Sequence, residues 1–151
     1  MVKKRCGKQI VSSQSPINIE AENYLKATSA DIKFNYTHEQ LFEVKHSGHT
    51  ISCTPSSQNY IIVDEQRYNL VEFHFHVPSE HQVNGQSFSG EIHFVHKNDA
   101  GELAVVGVFI QATDSAAQDE RTADIRSVFE RITQSVTQEG QSISVTFSNV
   151  S

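Results

Sequence analysis

Glu72–His76 reads EFHFH and Gly90–His96 reads GEIHFVH, and these two stretches carry most of the fold prediction. Side chains two residues apart in a β-strand point to the same face of the sheet. His74 and His76 therefore share a face if the first stretch is a strand. His93 lies in the second stretch, where charged and apolar residues alternate in the same way.

Asn84-Gly85 lies between the two stretches and is a strong signal for a two-residue hairpin turn. In an unbroken hairpin around that turn, Val83 pairs with Gln86 and His76 lies directly opposite His93. Directly paired residues are roughly 5 Å apart and diagonal ones roughly 7–8 Å. The pattern therefore predicts that three imidazoles converge on one point.

The neighbouring residues indicate a metal site at that point. Glu72 and Glu91 each precede a histidine by two residues, so a carboxylate can hold the ring nitrogen that a metal does not use. Three neutral imidazoles without a nearby cysteine suit Zn²⁺, with a fourth position left for water. The alternative is an amphipathic hairpin whose polar face only meets water.

Length and composition restrict the class of protein. The chain has 151 residues, is 37% hydrophobic and carries a net charge of −6. These values predict a single domain over residues 1–151 and argue against a nucleic-acid partner. No apolar run reaches the roughly 20 residues of a membrane span, and no signal peptide is visible.

The rest of the chain predicts a mainly β fold. Short β-rich runs separated by polar turns precede the histidine hairpin, and Ser142–Ser148 alternates again. Leu103–Ile110 is nearly continuously apolar, which predicts a buried central strand. One amphipathic helix is expected near residues 119–136, because apolar residues recur there at helical spacing.

Several motifs, taken together and in this order, resemble those of the α-class carbonic anhydrases in their bacterial form. The resemblance extends over residues 6 to 150. The motifs are Gln14–Ile19, Gly48–Thr50, Glu72–His76, Ser79–His81, Gly90–His96 and Leu103–Gly107.

This resemblance implies a fold and an activity. The fold would be a largely antiparallel central sheet with few helices. The activity would be a zinc-dependent lyase reaction, the reversible hydration of carbon dioxide to bicarbonate and a proton by attack of zinc-bound hydroxide. His74, His76 and His93 match the family's zinc ligands.

The resemblance also implies roles for residues around the metal. Glu91 matches the acceptor that orients the third ligand, and Glu72 stands where family members commonly have Gln. Glu80 matches a carboxylate that orients the hydroxyl beside the metal, and His49 matches the proton shuttle. The two remaining matches, Val95 and Val105, correspond to walls of the pocket for carbon dioxide.

The sequence departs from the family pattern at its ends. Family members continue with a Thr-Thr-Pro-Pro-Cys stretch, whereas the prolines here are Pro16, Pro55 and Pro78. The resemblance therefore implies a shortened chain with a partial domain, weak activity and open sheet edges through which it could form a homo-oligomer. It also implies a periplasmic or secreted protein.

Two alternatives belong to other functional classes. One is a carbonic-anhydrase-like domain that binds zinc without catalysis. The other is a cupin-type metal oxygenase, in which a His-x-His motif and a glutamate ligand hold iron or manganese. No Pro-x-Gly turn, which a cupin would have before the last histidine, precedes His93. Metal analysis separates the cupin from a carbonic anhydrase, and a carbon dioxide hydration assay separates the non-catalytic domain from the enzyme.

Overall fold

The described part of the chain is built from β-strands. The computed structural model describes residues 14–20, 32–37, 39–46, 50–56, 58–111, 132 and 134–148. The strands, in chain order, are β1 (Asn18–Ile19), β2 (Lys33–Asn35), β3 (Glu39–His46), β4 (Ile51–Pro55), β5 (Tyr60–Val63), β6 (Gln66–His76), β7 (Gln82–Val83), β8 (Gln86–Ser87), β9 (Gly90–Lys97), β10 (Leu103–Ile110) and β11 (Ser142–Ser148).

Two sheets contain these strands. The larger sheet has eight strands, of which six follow the order β10-β9-β6-β4-β3-β11, while β5 pairs with β6 and β2 pairs with β5. Its pairings are antiparallel. The smaller sheet has the order β1-β7-β8. The prediction of a mainly β fold with a largely antiparallel central sheet is confirmed.

The two faces of the large sheet differ in polarity. One transverse row of paired residues is apolar and the next row is polar, because successive residues of a strand point to opposite faces. The apolar row runs Ile143, Val44, Cys53, Phe73, Phe94 and Val106. The polar row runs Ser142, Lys45, Ser52, His74, His93 and Gly107.

The hydrophobic core lies on the apolar face. Val44, Cys53 and Val145 are fully or almost fully buried there. Ile132 and Val136 pack against the same cluster and are also buried. The polar row, which includes His74 and His93, therefore lies on the face of the sheet opposite the hydrophobic core.

Only the end of the predicted helix lies within the described residues. Residues 132, 134 and 135 are helical, and the Val136 N–H donates to the Ile132 carbonyl at 2.9 Å. Residues 119–131 lie outside the described residues. In the ranges that the structure covers, no helix is both long and apolar enough to cross a membrane.

The prediction that Leu103–Ile110 forms a buried central strand is wrong, because the strand forms but is not buried. The strand forms over those residues, but within the described part of the chain it is the last strand of its sheet. Leu103, Val105 and Val108 are 61%, 54% and 46% exposed. An apolar run does not distinguish a central strand from an edge strand, since either can have apolar side chains on both faces. Self-association through this edge stays a prediction.

The predicted pairing of His76 with His93 is also wrong. The Asn84-Gly85 turn forms, with positive φ at both residues, and Val83 pairs with Gln86 as expected. Further from the turn, however, His74 lies opposite His93, and His76 lies opposite Glu91. The register has shifted by two residues between the short hairpin and the long strands.

Two extra residues on one side of the hairpin explain this shift. The Ser79 N–H donates to the Phe88 carbonyl at 3.2 Å, and the Phe88 N–H donates to the Ser79 hydroxyl oxygen at 2.8 Å. Gln82 already pairs with Ser87. Glu80 and His81 therefore have no counterparts on the opposite strand. A shift of two preserves which face each side chain occupies.

A buried histidine ties β9 to the end of β2. His96 is completely buried, and its Nδ1 lies 3.3 Å from the Ala104 carbonyl, which can only accept a hydrogen bond. Nδ1 must therefore carry the proton, so the Tyr36 hydroxyl donates to Nε2 at 2.7 Å. Burial lowers the pKa of His96 and raises that of Tyr36 to about 12.

This arrangement predicts that acid destabilises the fold. The pKa of His96 is lower in the folded chain than in the unfolded one, so the unfolded state binds more protons as the pH falls below about 6.5. The stabilisation is present above that pH and declines toward the lowered folded-state pKa. One such group changes the free energy of unfolding by at most about 1.4 kcal/mol per pH unit. Urea denaturation of metal-free protein between pH 8 and 5 measures it.

The control variant is His96→Gln, whose amide can donate to Ala104 and accept from Tyr36 without titrating. Its free energy of unfolding should fall less steeply than that of the wild type below pH 6.5. The same pH dependence in both proteins would mean that His96 does not couple folding to protonation.

Candidate metal centre

Three histidine rings meet on the polar face of the large sheet. His74 and His76 lie on β6 and His93 on the neighbouring β9. The ring centroids are 5.0 Å apart for His74 and His76, 5.4 Å for His74 and His93, and 4.6 Å for His76 and His93. One nitrogen from each ring lies within 4.8 Å of the other two. This spacing suits a single metal ion with three nitrogen ligands.

Carboxylates lie beside nitrogens of the same rings. Glu72 Oε1 lies 3.3 Å from Nδ1 of His74. Glu91 Oε1 lies 3.0 Å from Nε2 of His93, although the ring N–H is not well aligned with it. Because a carboxylate can only accept, each contact favours a proton on that nitrogen and leaves the other nitrogen of the ring for a metal.

His76 presents a buried ring nitrogen that suits a metal ion. Its Nε2 atom is buried and has no hydrogen-bond partner among the described residues. A buried polar atom without a partner is costly, so its presence calls for an explanation. Burial lowers the pKa of His76. The Glu80 carboxylate acts in the opposite direction, whereas the rings of His93 and His74 lower the pKa further. The ring is therefore neutral at neutral pH, as a metal ligand must be.

A second group of potential ligands shares one histidine with the first. His81, Glu91 and His93 also place one ligand atom each within 4.8 Å of one another. His81 and Glu91 already bind each other. The His81 ring Nδ1 lies 2.7 Å from Glu91 Oε1, and the main-chain N–H of His81 donates to Glu91 Oε2 at 2.9 Å. Their lone pairs and protons are satisfied, so the three-histidine group is the better candidate.

Glu91 is a buried carboxylate held ionised by its neighbours. It is 2% exposed, and burial by itself would raise the pKa of its carboxyl group. The hydrogen bond from the His81 N–H and contacts with the rings of His93 and His81 outweigh burial, so the pKa lies below its usual value. The other ring nitrogen of His81 lies 3.1 Å from the Ser15 hydroxyl oxygen. A chain of contacts thus links β9 to the segment before β1.

Glu80 reaches the site from the two-residue insertion. Its Oε1 is 3.5 Å from Nδ1 of His76, and its Oε2 is 3.8 Å from Nδ1 of His93. The side chain is 39% exposed. Glu80 therefore lies between the histidine rings and solvent, where a carboxylate can accept a hydrogen bond from a water beside them.

A cavity of about 370 Å³ opens beside His93. Val95 pairs with Val105 on adjacent strands, on the same face as His93, and Val105 lines this cavity. The lining residues are Ser15, Pro16, Ile19, Glu80, His81, Glu91, His93, Val105, Gly107 and Phe109. The predicted apolar wall is thus adjacent to the histidine cluster.

The structure therefore brings together eight of the nine residues to which the sequence assigns a role in the site. The ninth, His49, lies outside the described residues. Sequence reasoning missed Phe109, whose ring stacks on Phe88 at 4.3 Å between centroids. The sequence did hold a signal for it, because Phe109 is four residues from Val105 on one strand and therefore points to the same face of the sheet. It also gave no role to Ser15, which only the folded chain brings to His81.

Comparisons with known proteins agree with the resemblance seen in the motifs. The model of the eukaryotic-type carbonic anhydrase family matches residues 3–151. A carbonic anhydrase of Neisseria gonorrhoeae is 39% identical over 101 residues, which cover 66% of this chain and 39% of the relative. The chain spans about 40–50% of the length of most curated relatives it matches.

Two solved structures share the fold. Photobacterium profundum α-carbonic anhydrase superposes with a TM-score of 0.73 at 31% identity, covering 87% of this chain and 55% of the other. The α-carbonic anhydrase of Thermovibrio ammonificans, solved in complex with the inhibitor sulfanilamide, gives 0.70 at 33%, covering 86% and 53%. With its matching family model, three-histidine cluster and antiparallel sheet, this chain belongs to the α-class, or eukaryotic-type, carbonic anhydrase family.

Proposed function

We propose that this chain carries the zinc site of a carbonic anhydrase and takes part in the reversible hydration of carbon dioxide to bicarbonate. The observation that carries the proposal is the buried, unpartnered Nε2 of His76 inside a cluster of three imidazoles. Family membership indicates the class of reaction, and the three imidazole nitrogens indicate which metal is bound. An all-imidazole set without thiolate or carboxylate ligands fits zinc better than the harder metals.

His74, His76 and His93 would hold the ion. Zinc bound there would act as a Lewis acid that lowers the pKa of a water from about 16 to about 7, so that a nucleophile is available at neutral pH. Glu72 and Glu91 keep the rings of His74 and His93 in the tautomer that a metal requires, through the contacts at 3.3 and 3.0 Å.

The side chains of Val95 and Val105 would provide the surface for the substrate. Carbon dioxide is small and has no net dipole, so an apolar wall beside the histidines holds it without competing for the polar groups there. Val105 lines the cavity next to His93.

Glu80 and His49 would handle protons. The Glu80 carboxylate lies within 3.8 Å of both His76 and His93. From there it would accept a hydrogen bond from a water held at the site and so would orient the lone pair of that water. Each turnover releases a proton that must reach solvent. A histidine titrates near neutral pH and suits this transfer, and His49 is the residue that the family pattern assigns to it.

The first prediction concerns the metal. Purified protein should bind about one zinc per chain, and a chelator should remove it. His76→Ala should weaken binding by more than the 10–100-fold that an outer hydrogen-bond partner is worth, because it removes a ligand. Competition with a chromogenic chelator measures the dissociation constant.

His81→Gln separates the two overlapping groups of potential ligands. It should retain zinc with a smaller loss of affinity, because His81 contacts Glu91 rather than the metal. If His81→Gln abolishes binding while His76→Ala does not, the metal belongs to the His81, Glu91 and His93 group.

The second prediction concerns catalysis. Zinc-loaded protein should accelerate carbon dioxide hydration in a stopped-flow indicator assay, and sulfanilamide should inhibit it. Glu80→Gln should lower kcat/KM by roughly 10²-fold, because the amide keeps the shape but loses the negative acceptor. Glu65→Gln, which changes a carboxylate in an exposed turn, should match the wild type.

Zinc binding without any acceleration in the wild-type chain would reject the catalytic proposal. It would favour a carbonic-anhydrase-like domain that binds zinc without catalysis.

The third prediction concerns His49. If His49 exports the proton, His49→Ala should lower kcat at low buffer concentration, and added imidazole should restore part of the rate. The measurement is kcat as a function of imidazole concentration at fixed pH. A loss that no concentration of imidazole restores would assign His49 a structural role.

A further inference from the structure

Gly107 lies where the polar row of the sheet reaches its last strand. It pairs with His93 across β9 and β10 and lines the cavity beside that histidine. Its φ angle is not in the positive region that favours glycine. Glycine weakens a strand interior and often marks a place where another group approaches the backbone closely. The backbone conformation therefore does not explain why this residue is glycine.

The approaching group is the carboxylate of Glu91. A Cβ atom added at Gly107 would lie 2.8 Å from Glu91 Oε1 and 3.7 Å from Cδ2 of His93. The first distance is too short for a carbon–oxygen contact, so the carboxylate would have to move. The carboxylate is at the end of a side chain, and the main chain need not shift to relieve the contact.

The carboxylate cannot move without losing partners. Oε1 contacts Nδ1 of His81 at 2.7 Å and Nε2 of His93 at 3.0 Å, while Oε2 accepts the His81 N–H at 2.9 Å. A methyl group on residue 107 would press on the one oxygen that the two rings share. The fold could accommodate that displacement of the carboxylate, but the contact between Glu91 Oε1 and Nε2 of His93 would be lost.

We infer that Gly107 is a positioning residue: the absence of a side chain there lets Glu91 reach His93 and hold its ring for the metal. The inference rests on the proposed zinc site, but it concerns contacts within the chain that exist before any metal binds. It explains a glycine in an apolar strand whose neighbours Val106 and Val108 are β-branched.

Gly107→Ala tests the inference with two measurements. In metal-free protein, the ring ¹⁵N shifts of His93 should report mainly the Nε2–H tautomer in the wild type and a mixture of tautomers in the variant. In zinc titrations against a chelator, the variant should bind zinc 10–100-fold more weakly, as expected when an outer partner of a ligand is lost. Val108→Ala, on the same strand but outside the cavity lining, should match the wild type in both.

A double variant shows whether the effect passes through Glu91. On the Glu91→Ala background, Gly107→Ala should cause no further loss of zinc affinity, since the group that it displaces is gone. An equal loss on both backgrounds would overturn the inference, as would unchanged tautomers and unchanged affinity in Gly107→Ala alone.

Two further outcomes keep the inference separate from the proposed function. If wild-type protein binds no zinc, the proposed function fails, and the His93 tautomers in metal-free protein still decide the role of Gly107. If Gly107→Ala does not fold, the double variant decides: it should fold if the clash with Glu91 is the cause. If Glu91→Ala alone folds and both variants with Gly107→Ala do not, the glycine serves the strand itself and the inference is overturned.

Discussion

The site depends on the pairing of Ser79 with Phe88, which fixes the register of the long strands relative to the Asn84-Gly85 turn. Ser79 is 5% exposed, its N–H and its hydroxyl oxygen both bind the Phe88 backbone, and its hydroxyl donates to the His81 carbonyl at 2.7 Å. These bonds leave Glu80 and His81 outside the ladder. Both of these side chains then contact the histidine cluster, and His74 rather than His76 faces His93.

The same residues that interrupt the ladder satisfy the buried charge beside it. Glu91 would be expensive to bury alone, because an ionised carboxylate loses its hydration. The insertion supplies the His81 N–H and ring, and β9 itself supplies His93. The irregular part of the hairpin thus provides the contacts to Glu91 that help to hold His93 of the regular part in place. The segment before β1 extends the network through Ser15.

Much of this could be predicted from the sequence because a two-residue period is insensitive to a shift of two. The shared face of His74, His76 and His93, the turn at Asn84-Gly85 and the mainly β fold all follow from alternation and turn chemistry. The pairing partners could not be predicted, since the turn does not encode how many residues leave the ladder beyond it. The contacts of Ser15 and Phe109 join elements that are distant in sequence. The periplasmic or secreted location stays a prediction.

The position of Leu103–Ile110 at the edge of the described strands was missed for a different reason. Apolar side chains on both faces indicate burial only if something covers both faces, and the sequence of one strand does not say what lies beside it. Gly107 interrupts this apolar run at the register position of His93. The role of Gly107 therefore cannot be inferred from the sequence of its own strand and requires the position of the neighbouring strand β9.

X-ray absorption at the zinc edge of the zinc-loaded chain shows whether three imidazoles converge on one ion. We expect a four-coordinate ion with about three imidazole ligands at roughly 2.0–2.1 Å, a single further oxygen or nitrogen, and no sulfur. His76→Ala should reduce the imidazole count by one in any zinc that remains. A wild-type spectrum with two or fewer imidazoles, or with sulfur from Cys53, would contradict this expectation.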